Sequence, residues 1–296
     1  MISRNIPIVG EEFILGYRPQ NEWQGLIATA FFLGKIGGGL FLVSMLIQFA
    51  AGALAGLVIA VIGKGIAHLL YLGRPERFWR AMANPGSSWI SRGIIGMMVF
   101  AVFGFIHIMP YYGWLELGTG TGLWWAIAII AGFAAFIVMV YDGFVLAASP
   151  AIPLWNSSLM PILCFFYALL GGTTLTIFML YFLGQDLSGV ALLKNIEIWL
   201  LIINFIIVVS FLLTMRKTTS AGREAVMQLL TGPFAKLFIG AVIIVGLVVT
   251  FLLTLYFTAT ESMTVLLWIT LADLIGHYFI FYLLLRAGLY TPISSR

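Results

Sequence analysis

The sequence predicts an all-α integral membrane protein, and its composition is the first observation that predicts it. Hydrophobic residues make up 62% of the 296 residues, charged residues make up 9%, and the mean hydropathy is +1.09. A soluble domain is about 45–50% apolar and about 25% charged, because the surface of a globule must be largely polar. The composition therefore excludes a soluble enzyme and a nucleic-acid-binding domain.

Long apolar runs are the second observation. A hydrocarbon core of ~30 Å is crossed by about 20 helical residues. Runs such as IIVVSFLLT (residues 206–214) do not alternate as the strands of a membrane β-barrel do. Eight transmembrane helices are therefore expected, at residues 24–50, 51–72, 91–111, 121–147, 158–184, 196–215, 235–258 and 263–286.

The distribution of basic residues is the third observation. Eight spans place both termini on one side of the membrane, here called side A, and only Lys194 falls in a loop on the opposite side B. The side-A residues are Arg4, Arg18, Arg74, Arg77, Arg80, Arg92, Arg216, Lys217, Arg223, Lys236, Arg286 and Arg296. The positive-inside rule makes side A, and with it both termini, cytoplasmic. Arginines used to dock a partner protein would produce the same bias.

Several ionisable residues lie inside the apolar spans, where each costs about 2.5–3.5 kcal/mol to insert. Lys35 lies in the middle of the first span, followed closely by three glycines that are typical of close helix contacts. Lys64 and His68 share one face of the second span, and Asp273 and His277 share one face of the eighth. Each group also has a purely structural interpretation. The Lys64 ammonium would reach the side-A headgroups. Asp273 and His277 would form a hydrogen-bonded pair without a role in proton transfer.

More polar residues lie where spans meet side A. Tyr141 and Asp142 fall near the side-A end of the fourth span, and Asn21, Trp23 and Gln24 lie where the first span enters side A. These positions predict a functional pocket that opens near side A. Tyr141 alone is also typical of the aromatic belt at a membrane surface.

A basic connection follows the second span. Gly73 and Pro75 end that helix, and Arg74, Arg77 and Arg80 then recur every third residue, which places their side chains together. This arrangement suits a docking surface for a partner protein. It also suits an anchor for anionic lipid headgroups.

A proline-rich connection follows the fourth span. Three prolines in residues 141–161 (YDGFVLAASPAIPLWNSSLMP) preclude a continuous helix across most of it. Non-helical backbone at membrane depth is tolerated only where protein covers it or where it lines a cavity, and the side chains of this segment are largely apolar. The segment is therefore either a lid over a pocket or an interfacial turn.

At these two connections the sequence resembles a known family. YLGRPERFWRAM (residues 71–82) with SSWISRG (residues 87–93), and the 141–161 segment, are similar to the polysulfide reductase membrane-subunit (NrfD) family. The resemblance extends over all eight spans in order and length. It implies one membrane domain, 1–296, made of two four-helix bundles (1–147 and 158–296) in a prokaryotic cytoplasmic membrane.

The resemblance also implies a function. Members are quinone-reactive anchors, without haem of their own, that bind an iron–sulfur subunit serving a molybdopterin oxidoreductase. The implied quinone (menaquinone or ubiquinone) site lies in the first bundle, at Asn21, Trp23, Gln24, Tyr141 and Asp142. Some relatives carry a histidine at the head of the first span, which this chain lacks, and His68 is the alternative hydrogen-bond donor. The single cysteine, Cys164, excludes an iron–sulfur cluster held by this chain alone, and we expect no metal site.

The leading interpretation is therefore a quinone-binding electron-transfer subunit. Tyr141, Asp142 and His68 are the expected catalytic residues, because quinone reduction takes two protons as well as two electrons. The proton-path candidates are Lys35, Lys64, Asp273 and His277. Two other functions remain as alternatives: a haem b anchor, which needs two axial ligands at one depth, and a secondary transporter, which suits midplane charges and glycine-broken helices.

Overall fold

The computed structural model describes residues 17–291 of the chain. Within this range eight helices are long and apolar enough to cross a membrane, which confirms the predicted all-α membrane fold. In chain order the helices are α1 (Gly25–Leu46), α2 (Ala50–Tyr71), α3 (Trp89–Tyr112), α4 (Gly122–Ala147), α5 (Leu159–Phe182), α6 (Val190–Thr218), α7 (Ser220–Leu230), α8 (Ala235–Thr260) and α9 (Met263–Arg286). All except α7 are spanning helices.

Short irregular elements interrupt or connect these helices. α2 contains a π-helical turn at Ile59–Gly63, and much of α8 is π-helical, at Phe238–Val249. A 3₁₀ helix, Pro75–Met82, connects α2 to α3, and the last turn of α3 is also 3₁₀. Strands β1 (Arg18–Pro19) and β2 (Leu289–Tyr290) pair antiparallel and join the two ends of the described chain on side A.

The largest departure from the predicted spans is at α6, which begins at Val190 rather than at residue 196. Lys194 therefore lies inside the helix, where its ammonium donates a hydrogen bond to Glu261 Oε1 at 2.6 Å. This pairing offsets part of the cost of holding a cation at the membrane edge. α1 ends earlier than predicted because the chain turns at Gln48, whose φ is 57°.

α1 is the central helix of the bundle, and its three consecutive glycines explain why. A Cβ on Gly37 would overlap the α2 backbone, and one on Gly38 would lie 2.9 Å from Met139 Cγ on α4. A Cβ on Gly39 would overlap the Ala168 carbonyl of α5. Successive helical residues point about 100° apart, so each glycine admits a different neighbour. α1 therefore packs against α2, α4, α5 and also α9, and it joins the two halves of the chain.

The outer surface of the bundle is apolar. Leu46, Ile129 and Phe182 are 68–72% exposed, and many other large apolar side chains on the spanning helices are exposed as well. A soluble monomer rarely presents so much contiguous apolar surface, whereas lipid tails cover it without cost. The bundle is an integral membrane protein.

Candidate functional site

A carboxylate lies buried between two lysines inside the membrane, toward side A. Lys64 Nζ on α2 donates a hydrogen bond to Asp142 Oδ2 on α4 at 2.7 Å, and Lys35 Nζ on α1 donates to the same oxygen at 3.1 Å. All three side chains are at most 1% exposed. We call Lys35, Lys64 and Asp142 the Lys–Asp–Lys cluster. It joins three helices through one carboxylate oxygen.

The cluster has unused hydrogen-bonding capacity. Asp142 Oδ1 has no hydrogen-bond partner among the described residues, although a carboxylate can accept about four hydrogen bonds. With all three groups ionised, two ammonium charges also face only one carboxylate charge. The cluster therefore offers a further polar group both an unused acceptor and excess positive charge.

Aromatic rings surround the two ammonium groups. Lys35 Nζ lies 4.2 Å from the ring centroid of Phe281 and 4.8 Å from that of Phe31. Lys64 Nζ lies 4.5 Å from the centroid of Tyr141. Cation–π attraction of this kind offsets part of the cost of removing an ammonium from water. The rings also keep the cluster apolar at its edges.

Small residues and a helix irregularity make room for the cluster. A Cβ on Gly34 would lie 2.7 Å from Lys64 Nζ, and one on Gly93 would overlap the ring of Tyr141. The π-helical turn Ile59–Gly63 directly precedes Lys64, and such turns change the face on which the following side chains lie. Glycines on α1 and α3 therefore leave the space that the Lys64 side chain and the Tyr141 ring occupy.

The structure decides between the interpretations left open for two of these residues. Lys64 does not reach the side-A headgroups, because its ammonium is fully buried against Asp142. Tyr141 is 5% exposed and does not belong to the aromatic belt. The first alternative was wrong because Asp142, on α4, supplies a buried counter-charge for Lys64. The second was wrong because the Tyr141 ring packs inside the bundle, against Gly93 and the Lys64 ammonium.

The remaining residues expected at the pocket lie at different distances from the cluster. His68 is half-buried, one turn from Lys64 toward side A, and its Nδ1 lies 3.0 Å from the Lys64 carbonyl oxygen. Asn21 and Gln24 are exposed, and the Gln24 amide donates to the Asn21 carbonyl at 2.6 Å. Trp23 instead stacks on Trp155, with ring centroids 5.5 Å apart. Of this group, only His68 adjoins the cluster directly.

The proline-rich connection between α4 and α5 is packed protein rather than an interfacial turn. Trp155 is 4% exposed, and its Nε1 donates to the Leu284 carbonyl at 2.8 Å. Gln20 is buried beside it and donates to the Leu285 carbonyl at 2.7 Å. Together with Trp23, these residues cover the side-A end of α9.

The three arginines expected to dock a partner lie on the side-A surface. Arg77 and Arg80 belong to the exposed 3₁₀ helix Pro75–Met82, and Arg74 precedes it. In a 3₁₀ helix residues three apart eclipse one another, so these side chains form one row. Trp79 in the same helix is 55% exposed. Arg4 and Arg296, counted earlier for side A, lie outside the described residues.

The other two proton-path candidates, Asp273 and His277 on α9, form part of a second buried group. They do not hydrogen-bond to each other, so the structural-pair alternative is wrong. Asp273 Oδ2 and both ring nitrogens of His277 have no hydrogen-bond partner among residues 17–291. The ring of His277 lies 5.3 Å from that of Tyr167 on α5, whose hydroxyl is also without a partner there.

Glu197 is the residue that the sequence analysis missed. It is fully buried on α6, and its Oε1 accepts a hydrogen bond from Thr174 Oγ1 on α5 at 2.7 Å. The predicted sixth span begins at residue 196, which places Glu197 at the edge of that span. A lone glutamate in the apolar run NIEIWLLII (residues 195–203) was the available signal.

The fold and the site together define a class: a membrane protein whose described residues form eight spans, with a buried charged cluster near one face. Comparison with known proteins gives the family. The model of the family described as "Polysulphide reductase, NrfD" matches residues 15–293, and the chain belongs to this family.

Two curated relatives are similar to part of this sequence. One is a subunit of the sulfite dehydrogenase of Allochromatium vinosum, 26% identical over 141 residues, which cover 43% of each protein. The other belongs to the anaerobic dimethyl sulfoxide reductase of Haemophilus influenzae and is 29% identical over 123 residues, 40% of this protein and 42% of that one. Each match therefore spans less than half of the relative.

Proposed function

We propose that the chain is the membrane anchor subunit of a respiratory oxidoreductase and binds a quinone or quinol beside the Lys–Asp–Lys cluster. Membership of the NrfD family supports this proposal, and both relatives are named as parts of oxidoreductases. The observation that carries it is the unused Asp142 Oδ1, buried between two lysines in an otherwise apolar bundle.

The residues of the cluster match the chemistry of a quinone. A quinone carries two carbonyl oxygens that accept hydrogen bonds, and it supplies a two-electron, two-proton redox couple when bound. Lys64 offers an N–H donor for a quinone carbonyl oxygen, and Asp142 Oδ1 offers an acceptor for a quinol hydroxyl. The N–H of the neutral His68 ring is on Nδ1, facing the Lys64 carbonyl, so its Nε2 offers a second acceptor. Tyr141 supplies a ring edge and a hydroxyl at the same level of α4. Lys35 and Lys64 keep the Asp142 carboxylate ionised, so its free oxygen accepts the hydrogen bond of a quinol hydroxyl.

We further propose that the electrons pass between this site and an iron–sulfur subunit docked on side A, which serves a molybdopterin catalytic subunit. The exposed row of Arg74, Arg77 and Arg80, with Trp79 beside it, suits an acidic partner surface.

We propose that side A faces the cytoplasm of a prokaryotic cell, by the positive-inside rule. The quinone bundle is then residues 1–147, and residues 158–296 form the second bundle. Asn21 and Gln24 lie at the entrance, and Trp23 forms part of the lid.

Quinone binding is tested directly on the purified chain. Titration with a soluble naphthoquinone, followed by tryptophan fluorescence, should show saturable binding to the wild type. Loss of one charge-assisted hydrogen bond costs about 1.5–3 kcal/mol, so Lys64→Met should raise the Kd about tenfold or more. His107→Gln is the matched control, because His107 is equally buried but lies toward side B. A wild type that binds no quinone, or a Lys64→Met variant with an unchanged Kd, contradicts the proposal.

Partner docking has its own test. Replacing Arg74, Arg77 and Arg80 by glutamate should abolish co-purification with an iron–sulfur protein from native membranes, while Lys236→Glu, on the same side of the membrane, should not. High salt should weaken the wild-type association as well, since exposed charges are screened. Retention of the partner by the triple variant would show that it docks elsewhere.

A further inference from the structure

The second buried group lies where the proposed quinone chemistry does not use it. Glu197, Asp273 and His277 are each at most 1% exposed, and no basic side chain among the described residues hydrogen-bonds to either carboxyl group. Holding both carboxyl groups as ions at this depth would be very costly. A carboxyl group kept in an apolar interior without a cation is suited to carry a proton and to pass it on.

These residues lie at successive depths rather than side by side. A Cβ on Gly171 of α5 would lie 2.8 Å from His277 Nδ1, so Gly171 and His277 face each other. α5 and α9 run in opposite directions, so three residues forward on α5 and four back on α9 both lead one turn toward side B. Thr174 and Asp273 are therefore at one level. Thr174 in turn bonds Glu197 at 2.7 Å.

The row continues to the side-B surface. Lys194 lies three residues before Glu197 on α6, one turn nearer to side B and on the same face. Its ammonium is paired with Glu261, whose side chain is 62% exposed. Polar side chains thus extend from a solvent-exposed carboxylate on side B to the centre of the bundle.

At its other end the row meets the Lys–Asp–Lys cluster. The rings of Tyr167 and His277 are 5.3 Å apart, and both lie against Phe281, at 5.9 Å and 5.5 Å. Lys35 Nζ lies over the same Phe281 ring at 4.2 Å. The Phe281 ring therefore lies between Lys35 on one side and Tyr167 and His277 on the other.

We infer that Glu261, Lys194, Glu197, Thr174, Asp273, His277 and Tyr167 form a proton pathway between side B and the Lys–Asp–Lys cluster. Glu197 Oε2, Asp273 Oδ2, the Tyr167 hydroxyl and both ring nitrogens of His277 have no partner among residues 17–291, so they are free to take up a proton and pass it on. The inference rests on the proposed quinone site: oxidation of a quinol there releases two electrons and two protons. The electrons go to the partner subunit on side A and the protons to side B, and reduction of a quinone reverses both. The reaction then moves charge across the membrane.

The test uses the complex purified with its native partner subunits and reconstituted into vesicles of known orientation. A short-chain naphthoquinol is the electron donor, ferricyanide is the acceptor, and a pH-sensitive dye reports each side of the membrane. The wild type should release about two protons per quinol on side B. Glu197→Gln and Thr174→Val should each lower that release about tenfold or more. Thr176→Val is the matched control, because Thr176 lies on the same helix and is as deeply buried but pairs with Ser44 instead.

The outcomes separate the pathway from the quinone site. Glu197→Gln and Thr174→Val should both bind naphthoquinone with the wild-type Kd, because neither residue belongs to the quinone site. A loss of proton release in these variants then reports on the pathway and not on quinone binding. Release of protons on side A by the wild type, or full side-B release by Glu197→Gln, overturns the pathway alone. Wild-type vesicles that oxidise no quinol overturn the proposed function together with it.

A second measurement needs neither quinone nor partner. The purified chain should show an infrared band of a protonated carboxyl group that Glu197→Gln or Asp273→Asn removes and that survives in Glu224→Gln, an exposed glutamate on α7. Absence of such a band from the wild type overturns the inference, since no carboxyl group in the row would then hold a proton.

Discussion

Asp142 and Lys64 meet at 2.7 Å inside the membrane although 78 residues separate them in the sequence. Lys35 approaches the same oxygen from a third helix. This contact contributes to stability as well as to the proposed chemistry, because an ion without a partner in the apolar interior is not solvated by water. Stability and the proposed quinone chemistry therefore depend on the same three side chains.

Asp142→Asn should destabilise the protein more than Lys35→Met does. The asparagine leaves two buried ammonium groups without a counter-charge, whereas removal of Lys35 leaves one balanced pair. Removing one partner of a buried ion pair typically costs about 3–5 kcal/mol. The single cysteine, Cys164, is fully buried, so the rate at which a maleimide dye labels it on heating reports unfolding in detergent. Lys35→Met with a lower transition temperature than Asp142→Asn would contradict this charge balance.

Much of the fold could be predicted from the sequence because crossing a membrane is a local property of about 20 consecutive residues. The depth of Lys35, Lys64 and Asp142 follows from the same counting. Their contact could not be predicted, because it depends on how α1, α2 and α4 are rotated and on which helices are neighbours. A glycine such as Gly39 indicates that another helix packs closely at that position, but the sequence alone does not say which helix it is.

The buried group of Glu197, Asp273 and His277 also shows what could and could not be predicted from the sequence. Asp273 and His277 were recognised because they lie at the centre of a predicted span. Glu197 was not, because the predicted sixth span began at residue 196, whereas α6 begins at Val190 and places Glu197 about two turns inside the helix.

Gly39→Ala should disrupt the packing of α1 on α5. The new methyl group would overlap the carbonyl of Ala168, and a backbone group has little freedom to move away. Overpacking usually costs about 1–3 kcal/mol, and we expect at least the upper end of this range. The variant should accumulate less in membranes and unfold at a lower temperature by the Cys164 assay. Gly65→Ala is the control, because a Cβ there meets nothing within 4 Å; equal loss in both variants would point to a general intolerance of alanine.

Trp155→Phe should loosen the lid without removing it. The change deletes the hydrogen bond from Nε1 to the Leu284 carbonyl, which is worth about 1 kcal/mol, and keeps most of the ring that stacks on Trp23. Trp155→Ala should cost about 3–5 kcal/mol, because it also leaves a cavity. Trp199→Phe, at a lipid-facing position that is 64% exposed, should have almost no effect on thermal unfolding. If Trp155→Ala is as mild as Trp155→Phe, the segment is not held by its side chain.

The Lys194–Glu261 pair should make stability depend on acid pH. The hydrogen bond from Lys194 holds the pKa of Glu261 below its ordinary value, so the contribution of the pair is complete above the pKa of the unfolded protein. It is lost as the pH falls through the lower pKa of the folded protein, that is, below about 4.3. Glu261→Gln should therefore lower the unfolding temperature slightly at pH 7, and the difference from wild type should shrink toward pH ~3. Glu261 is largely exposed, so high salt should reduce the effect. A difference that stays constant with pH would show that the glutamine acts through the backbone, where residue 261 has a φ of 49°, and not through the lost charge.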